Sequence, residues 1–260
     1  MAEVVIYILI FLFGICIGSF LNVCIYRMGR EESIVQPASH CPQCQKPILW
    51  QDNIPLLSYI LLRGKCRSCG KKISFRYFSI ELLTGLLFLA LYHRFGATPV
   101  TLIYCALTAG LIVATFVDID FQIIPDEISV GGIVLGIILS VLFPAIHGAS
   151  NHLLGFRDAL LGILVGGGVL WILGCIGDFI FKKESMGGGD IKLLAMIGAF
   201  LGWKIALLSL PLASLVGAVV GVIIKVRTKQ SVIAFGPYLA LGALVGLFWS
   251  EKIINTFFYL

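Results

Sequence analysis

Charged side chains are scarce in this chain: they make up 13% of its 260 residues, against 59% hydrophobic ones, and the mean hydropathy is +1.01. So little polar surface cannot cover a water-facing globule, which excludes a soluble enzyme or binding module and leaves a membrane protein. Short motifs that carry much hydrolytic and phosphoryl chemistry are also missing: there is no GxSxG elbow, no HExxH pair and no phosphate-binding loop. The four histidines, His40, His93, His147 and His152, are too scattered to build a metal site with the acids. Low-complexity segments and fixed-period repeats are absent as well. The first apolar run lacks the basic start and small-residue cleavage site of a secretory signal, and with Glu3 before it and Arg27 after it, it reads as a retained anchor.

What is present is a series of apolar runs. A hydrocarbon core of about 30 Å takes about 20 helical residues, and the runs near 4–26, 78–92, 99–117, 128–146, 159–181, 191–203, 205–224 and 233–250 qualify as spans. The sixth is short, and is tilted, re-entrant or fused to the seventh. Lys and Arg collect in cytoplasmic loops. Eight spans with the N-terminus outside leave only Arg94, Arg157, Lys204 and Lys252 on the outer side, whereas fusing spans six and seven moves Lys225, Arg227 and Lys229 outward. The expected fold is therefore an all-α polytopic membrane protein with about eight transmembrane helices. Its expected parts are a first helix (1–26), a basic cytoplasmic loop domain (27–77) and a transmembrane core (78–260). Glycine is abundant, 29 residues, and Gly166, Gly167 and Gly168 are read as places where helix backbones approach.

The loop between the first two spans carries Cys41-Pro-Gln-Cys44 and Cys66-Arg-Ser-Cys69. Each CxxC turn presents two thiolates to one point, and two such knuckles complete a tetrahedral site that suits zinc. Disulfides or a redox pair are the competing reading, disfavoured because this basic loop faces the reducing cytosol. Four thiolates close the coordination shell, so the zinc is expected to be structural, supplying folding free energy to a loop with little apolar core. The remaining cysteines, Cys16, Cys24, Cys105 and Cys175, fall in apolar spans and read as small buried side chains.

Catalysis is sought in two acidic motifs: Asp118-Ile-Asp120 with Ile124-Pro125-Asp126, and Gly187-Gly188-Gly189-Asp190. Carboxylates beside spans are costly and are functional candidates for that reason. Asp126 and Glu127 open a span after a proline and read as cap and first-turn acids. Asp118 closes a span, where a cap is of no use and the helix dipole is unfavourable. Asp190 alone reads as an N-cap, but three glycines before it need a further reason, either a sharp bend or a peptide substrate lying against the strip. Lys192 is expected to help hold Asp190 ionised. Two carboxylates sharing a site divide their roles, one keeping a proton as acid while the other draws a proton from water. That water attacks an amide directly, with no catalytic metal. A transporter using its acids to carry protons or ions, or a membrane scaffold built on the zinc loop, remains the alternative.

In order along the chain, Gly18-Ser-Phe-Leu-Asn22-Val, Tyr26-Arg27, the paired CxxC knuckles, Asp52-Asn-Ile-Pro-Leu-Leu-Ser-Tyr59, Arg63-Gly64-Lys65, Arg76-Tyr77 with Glu81, Asp118 with Pro125-Asp126, Gly187-Gly-Gly-Asp190-Ile-Lys192 and Phe235-Gly-Pro-Tyr238 resemble the bacterial type IV prepilin peptidases, GxGD-class membrane aspartyl proteases. The resemblance implies removal of the short basic leader of prepilins or pseudopilins after a glycine, at the cytoplasmic face of the bacterial inner membrane, in pilus or type II secretion systems. It further implies methylation of the new N-terminus with S-adenosylmethionine. Its catalytic pair falls on Asp118 and Asp190, with Gly187, Gly188, Gly189, Lys192, Asp120, Pro125 and Asp126 as support. Gly64 and Lys65 are implicated in the methyl-donor site by the resemblance alone. Glu81 is a candidate polar group for that site or, equally, an interfacial residue paired with Arg76 or Lys72. The expected partners are a substrate with a basic leader and an apolar helix, drawn to an acidic mouth, and the lipid bilayer. No nucleic acid is expected.

Overall fold

The computed structural model describes residues 2–183, 185–228 and 233–258, with side chains for 3–183, 185–227 and 233–249. Lys229 and the side chain of Lys252, both used in the charge count, lie outside that set. Among the described residues there is no strand beyond two isolated bridges. The helices are α1 (Ala2–Met28), α2 (Leu57–Leu61), α3 (Phe75–Phe95), α4 (Pro99–Phe121), α5 (Asp126–Leu142), α6 (His152–Phe181), α7 (Gly188–Thr228) and α8 (Gly236–Phe258), with 3-10 turns at Trp50–Asp52 and Pro144–His147.

Among the described residues, five helices are long and apolar enough to cross a membrane: Glu3–Met28, Phe75–Phe95, Pro99–Phe121, His152–Phe181 and Gly188–Arg227. This is an all-helical membrane protein. The boundary expected between the sixth and seventh spans, at Lys204, lies two residues beyond Gly202, where φ 79 and ψ 168 break α7 into two limbs. The first limb, 188–201, is too short to cross a 30 Å core alone at about 1.5 Å of rise per residue.

The chain divides into two compact units, Met1–Val113 and Ala114–Leu260. In the first, α1 packs along α3. The crossing is close because Gly14 and Gly18, four apart on one helix face, meet the α3 backbone: a Cβ on Gly14 would lie 2.8 Å from Gly85 Cα, and one on Gly18 2.7 Å from Glu81 Cα. Asn22 Nδ2 ties the pair together by donating to the Tyr77 carbonyl at 3.0 Å. At the end of α1, the buried Arg27 guanidinium donates to the carbonyls of Ser33 and Pro37 and anchors the start of the loop. Cys24 and Cys105 are buried as expected, but Cys16 and Cys175 are exposed on the outer faces of α1 and α6. Their apolar neighbours there, such as Leu12, Phe13 and Ile176, make that face one for lipid rather than for the interior.

In the second unit α6 packs on α7, α5 on both, and α8 on α7. Glycines again set the spacing. Gly162 and Gly198 meet backbone to backbone, Gly166 lies against the Leu194 carbonyl, and Gly167 faces Ala195, whereas Gly168 opens on empty space.

Candidate active site

Asp118 lies in the last turn of α4 and is 5% exposed. Its place at a helix C-terminus would be unfavourable if it faced its own helix dipole. It faces another helix instead: the Gly236 N–H, first in α8, donates to Asp118 Oδ2 at 2.9 Å. A carboxylate at a helix N-terminus is stabilised by the free N–H groups and the dipole there. Pro237 follows Gly236 in the first turn, where a missing N–H costs nothing. A Cβ on residue 236 would sit 2.8 Å from Asp118 Oδ2 and 3.2 Å from Ile124 Cδ1, so only glycine admits the carboxylate this closely.

Asp190 is in the first turn of α7, its N–H bonded to the Gly187 carbonyl at 3.1 Å. Its side chain folds back on the glycine strip, where a Cβ on Gly187 would lie 3.0 Å from Oδ2. It is therefore inside the helix rather than the N-cap. Oδ1 is buried and has no hydrogen-bond partner among the described residues. The carboxylate of Asp190 lies near enough to Asp118 for the charge of one to act on the other. Ile124 is the wedge beside both, touching the Gly236 position on one side and, at 3.1 Å, the Gly189 position on the other. The close approach at Gly189 is thus to the Ile124–Pro125 turn and that at Gly187 to Asp190 itself; Gly188 alone faces open space.

The supporting acids fall differently from their sequence reading. Pro125 holds the N-cap position of α5 without a side-chain cap, so Asp126 is the first helical residue and caps nothing. Its carboxylate takes the Lys192 ammonium at 2.7 and 3.0 Å, a bond between two exposed side chains. Lys192 is therefore paired with Asp126 across the two motifs rather than with Asp190. Asp120 and Glu127 are exposed beside them.

The cysteine loop folds as the same turn made twice. Cys41 N–H donates to the Lys46 carbonyl and Gln45 N–H to Cys41, and Cys66 N–H donates to Lys71 and Gly70 N–H to Cys66, all at 2.9 Å. Gln45 (φ 57) and Gly70 (φ 69) hold the same left-handed corner. The four Sγ atoms of Cys41, Cys44, Cys66 and Cys69 lie within 4.8 Å of one another, a set that could hold a metal ion. Backbone N–H groups of Cys69 and Ser68 push the Cys66 thiol down to about 7, towards the thiolate that a metal needs. Gly64 (φ 65) is the corner into the second knuckle, packed on Tyr59, whose hydroxyl is 2.8 Å from a Cβ placed there. Glu81, buried on α3, accepts the Leu56 N–H on its Oε2 at 2.8 Å and a hydrogen bond from the Ser19 side chain.

Two family models match the chain: the bacterial peptidase A24 N-terminal domain over residues 12–95, and the type IV leader peptidase family over residues 105–222. A prepilin leader peptidase/N-methyltransferase of Aeromonas hydrophila is 36% identical over 96% of this chain and 92% of its own length, and one of Pseudomonas aeruginosa is 37% identical over 95% and 91%. The chain belongs to the prepilin leader peptidase/N-methyltransferase family. A Myxococcus xanthus member of the family is 43% identical over 86% of this chain, which spans 64% of that relative's length. No solved structure matches. Within this leader peptidase fold, the first family model covers the α1–α3 pair with the knuckles, and the second covers both acidic motifs but stops short of Gly236. Sequence reasoning placed Gly236 only within a resembling segment and gave Ile124 no role. The glycine–proline pair at the start of a helix was the signal available for the first; an isoleucine offers none.

Proposed function

We propose that this chain is a membrane aspartic endopeptidase that removes the basic leader of prepilin-type substrates, with Asp118 and Asp190 as its catalytic pair, and then methylates the new N-terminus. The observation that carries the reading is the pairing of two largely buried carboxylates within each other's field, one held by the Gly236 N–H and the other with an oxygen lacking any partner. A buried acceptor of that kind calls for a hydrogen-bond donor, and a water between the carboxylates is the donor that the chemistry requires. One carboxylate removes a proton from that water as it attacks the scissile carbonyl. The other, protonated, gives its proton to the departing amine, so no covalent intermediate forms. The exposed Asp120, Asp126 and Glu127 attract the basic leader. The active site and knuckles face the cytoplasm of the bacterial inner membrane, and pilins or secretion pseudopilins are the substrates.

The four thiolates fit zinc by donor type and number, and would hold it as a closed structural site that ties the two knuckles together. S-adenosylmethionine supplies an electrophilic methyl group when bound.

The test is cleavage of a prepilin-type substrate by the lipid-reconstituted protein and its Asp118→Asn and Asp190→Asn variants, each shown to be folded. Each variant is expected to lose cleavage by about three orders of magnitude or more, as when a general acid or base is removed from a concerted pair. Cleavage retained by both variants would remove the pair from the mechanism, and loss of coupled ion flux instead would favour a transporter.

A further inference from the structure

The knuckle loop leaves the end of α1 and re-enters at α3, but part of it returns to the level of the spans themselves. Depth is read from the register of the helix pair: Gly14 lies against Gly85, Gly18 against Glu81, and Asn22 donates to Tyr77. From Gly18 to its end at Met28, α1 climbs about 15 Å further. The loop then comes back down that distance, because the Leu56 N–H donates to Glu81 Oε2 at 2.8 Å. The Tyr59 ring lies 6.2 Å from that of Phe75 and 5.5 Å from that of Phe78. With 21 residues, α3 is about 31 Å long, so nearly all of it is needed to cross a core of about 30 Å and Phe75 has to sit at the edge. Glu81 is six residues further in. Its side chain leans back towards the helix start, which places Leu56 and the neighbouring α2 about 5–9 Å below the end of the span.

The surface presented at that depth is apolar. Trp50 is 81% exposed, Leu61 70% and Ile60 61%, with Leu57 beside them on the same face of α2. Phe75, 63% exposed and in ring contact with Tyr59, continues this surface onto α3. So large an apolar patch marks an interaction surface. The backbone is prepared for the same place. Every N–H from 52 to 58, the imino Pro55 aside, has an acceptor within the loop or on α3: Asp52 and Asn53 donate to the Leu49 and Trp50 carbonyls, and Leu57 and Ser58 to those of Pro55 and Ile54. Ile54 and Leu56 take side-chain acceptors, the Ser58 hydroxyl and the Glu81 carboxylate, both buried. Backbone at lipid depth has to satisfy its donors internally, and this segment does. Glu81, which also accepts from Ser19, thereby fastens the segment to the helix pair.

We infer that Trp50–Leu61 is an interfacial anchor that lays its apolar face into the leaflet surrounding the C-terminal end of α1, and that anionic lipid is its partner. The depth matches the 5–10 Å or so to which interfacial helices sink. Tryptophan favours the headgroup level. Arg63 stands two residues past Leu61, and Lys71 and Lys72 just before α3; all three are exposed, and cations beside a span attract anionic headgroups. Continuity with the exposed side of α3 argues for lipid over a protein partner, since no boundary separates the patch from a surface that lipid already covers.

The full-length protein is placed in nanodiscs of phosphatidylglycerol and phosphatidylcholine in equal parts. Trp50 emission is taken as the difference between wild type and Trp50→Phe, which removes the other three tryptophans from the reading. Lipids brominated near the headgroup are expected to quench it by about twofold or more, and lipids brominated near the chain end to quench it less. A photoreactive benzoylphenylalanine at Ile60 is expected to give lipid adducts, with phosphatidylglycerol favoured by about threefold and the preference lost in Arg63→Glu/Lys72→Glu. These changes lie outside the acid pair, so leader cleavage reports that each variant is folded. Trp50 emission indifferent to both brominated lipids overturns the proposal. So does crosslinking of Ile60 to a second copy, or to an added prepilin-type peptide, in place of lipid. Equal labelling of the two lipids by the wild-type background overturns the anionic preference.

Discussion

Replacing Gly236 by alanine tests the acid pair without touching either acid. The new methyl carbon would stand 2.8 Å from Asp118 Oδ2, where ordinary van der Waals contact begins at 3.4 Å, so the carboxylate oxygen has to retreat by about 0.6 Å. The hydrogen bond from the Gly236 N–H, now 2.9 Å, would lengthen to about 3.5 Å and be lost. A hydrogen bond to a charged group contributes about 1.5–3 kcal/mol, which corresponds to about 10- to 150-fold in rate if the whole of it acts on the transition state. Misplacement of a reacting group by about 1 Å costs on the order of 100-fold. G236A is therefore expected to cleave 10- to 100-fold more slowly, mostly in kcat, while remaining folded. The assay is cleavage of a prepilin-type peptide in proteoliposomes, with methylation of a pre-cleaved peptide as the measure of intact protein. Gly131→Ala, on α5 where an added Cβ meets nothing within 4 Å, is the matched control and should cleave within about twofold of wild type. Wild-type cleavage by G236A would refute the idea that the α8 N-terminus positions Asp118.

Three further outcomes are expected. One zinc per chain should be measured by atomic emission, and its removal by a chelator should expose Lys46, Lys65 and Lys71 in the loop to trypsin; acidification should release the metal as protons displace it from thiolates, and Cys66→Ser should lower its retention. Gly18→Val, which would push against the α3 backbone at 2.7 Å, should destabilise the α1–α3 pair by about 1–3 kcal/mol, read as a lower Tm in detergent. Arg67 holds the Asp52 carboxyl below its usual range, so the pair's contribution to the loop is present above the ordinary carboxylate value of about 3.9 and is lost as pH falls through the lower folded value. NMR titration should therefore find the Asp52 midpoint depressed in wild type and moved upward in Arg67→Leu.

Some of this was legible from residue types alone. Two CxxC pairs bring four thiolates together through local turns of a few residues, so their meeting needed little knowledge of the fold. The division of the sixth and seventh apolar runs at Lys204 fell two positions from the break at Gly202, which the sequence did not single out. What could not be read was partnership across the chain. Asp118 looked misplaced at the end of α4 because its benefit comes from Gly236, 118 positions later. Lys192 was assigned to the nearest acid in sequence, yet its ammonium reaches across to Asp126, since side chains two apart on a helix point in different directions. The glycines before Asp190 were credited to a sharp bend or to a peptide substrate, whereas Ile124 and the Asp190 carboxylate itself fill the space beside two of them. Composition and periodicity report on a residue's own element; which other element it meets is a tertiary fact.

The glycine-to-glycine seam between α6 and α7 bears on how a polypeptide is admitted to the acids. Where two helices touch through side chains, rotamer changes let them roll or slide by an ångström or more. Gly162 and Gly198 have no side chains to give, and their backbones are in direct contact, so that seam has no slack. Asp190 is carried on the limb of α7 that this seam fixes, eight positions before Gly198. Asp190 is in effect bolted to a frame. On the proposed mechanism, any widening that lets an extended peptide reach between the carboxylates comes from the Asp118 side, at the α4–α5 turn around Ile124 or at the first turn of α8.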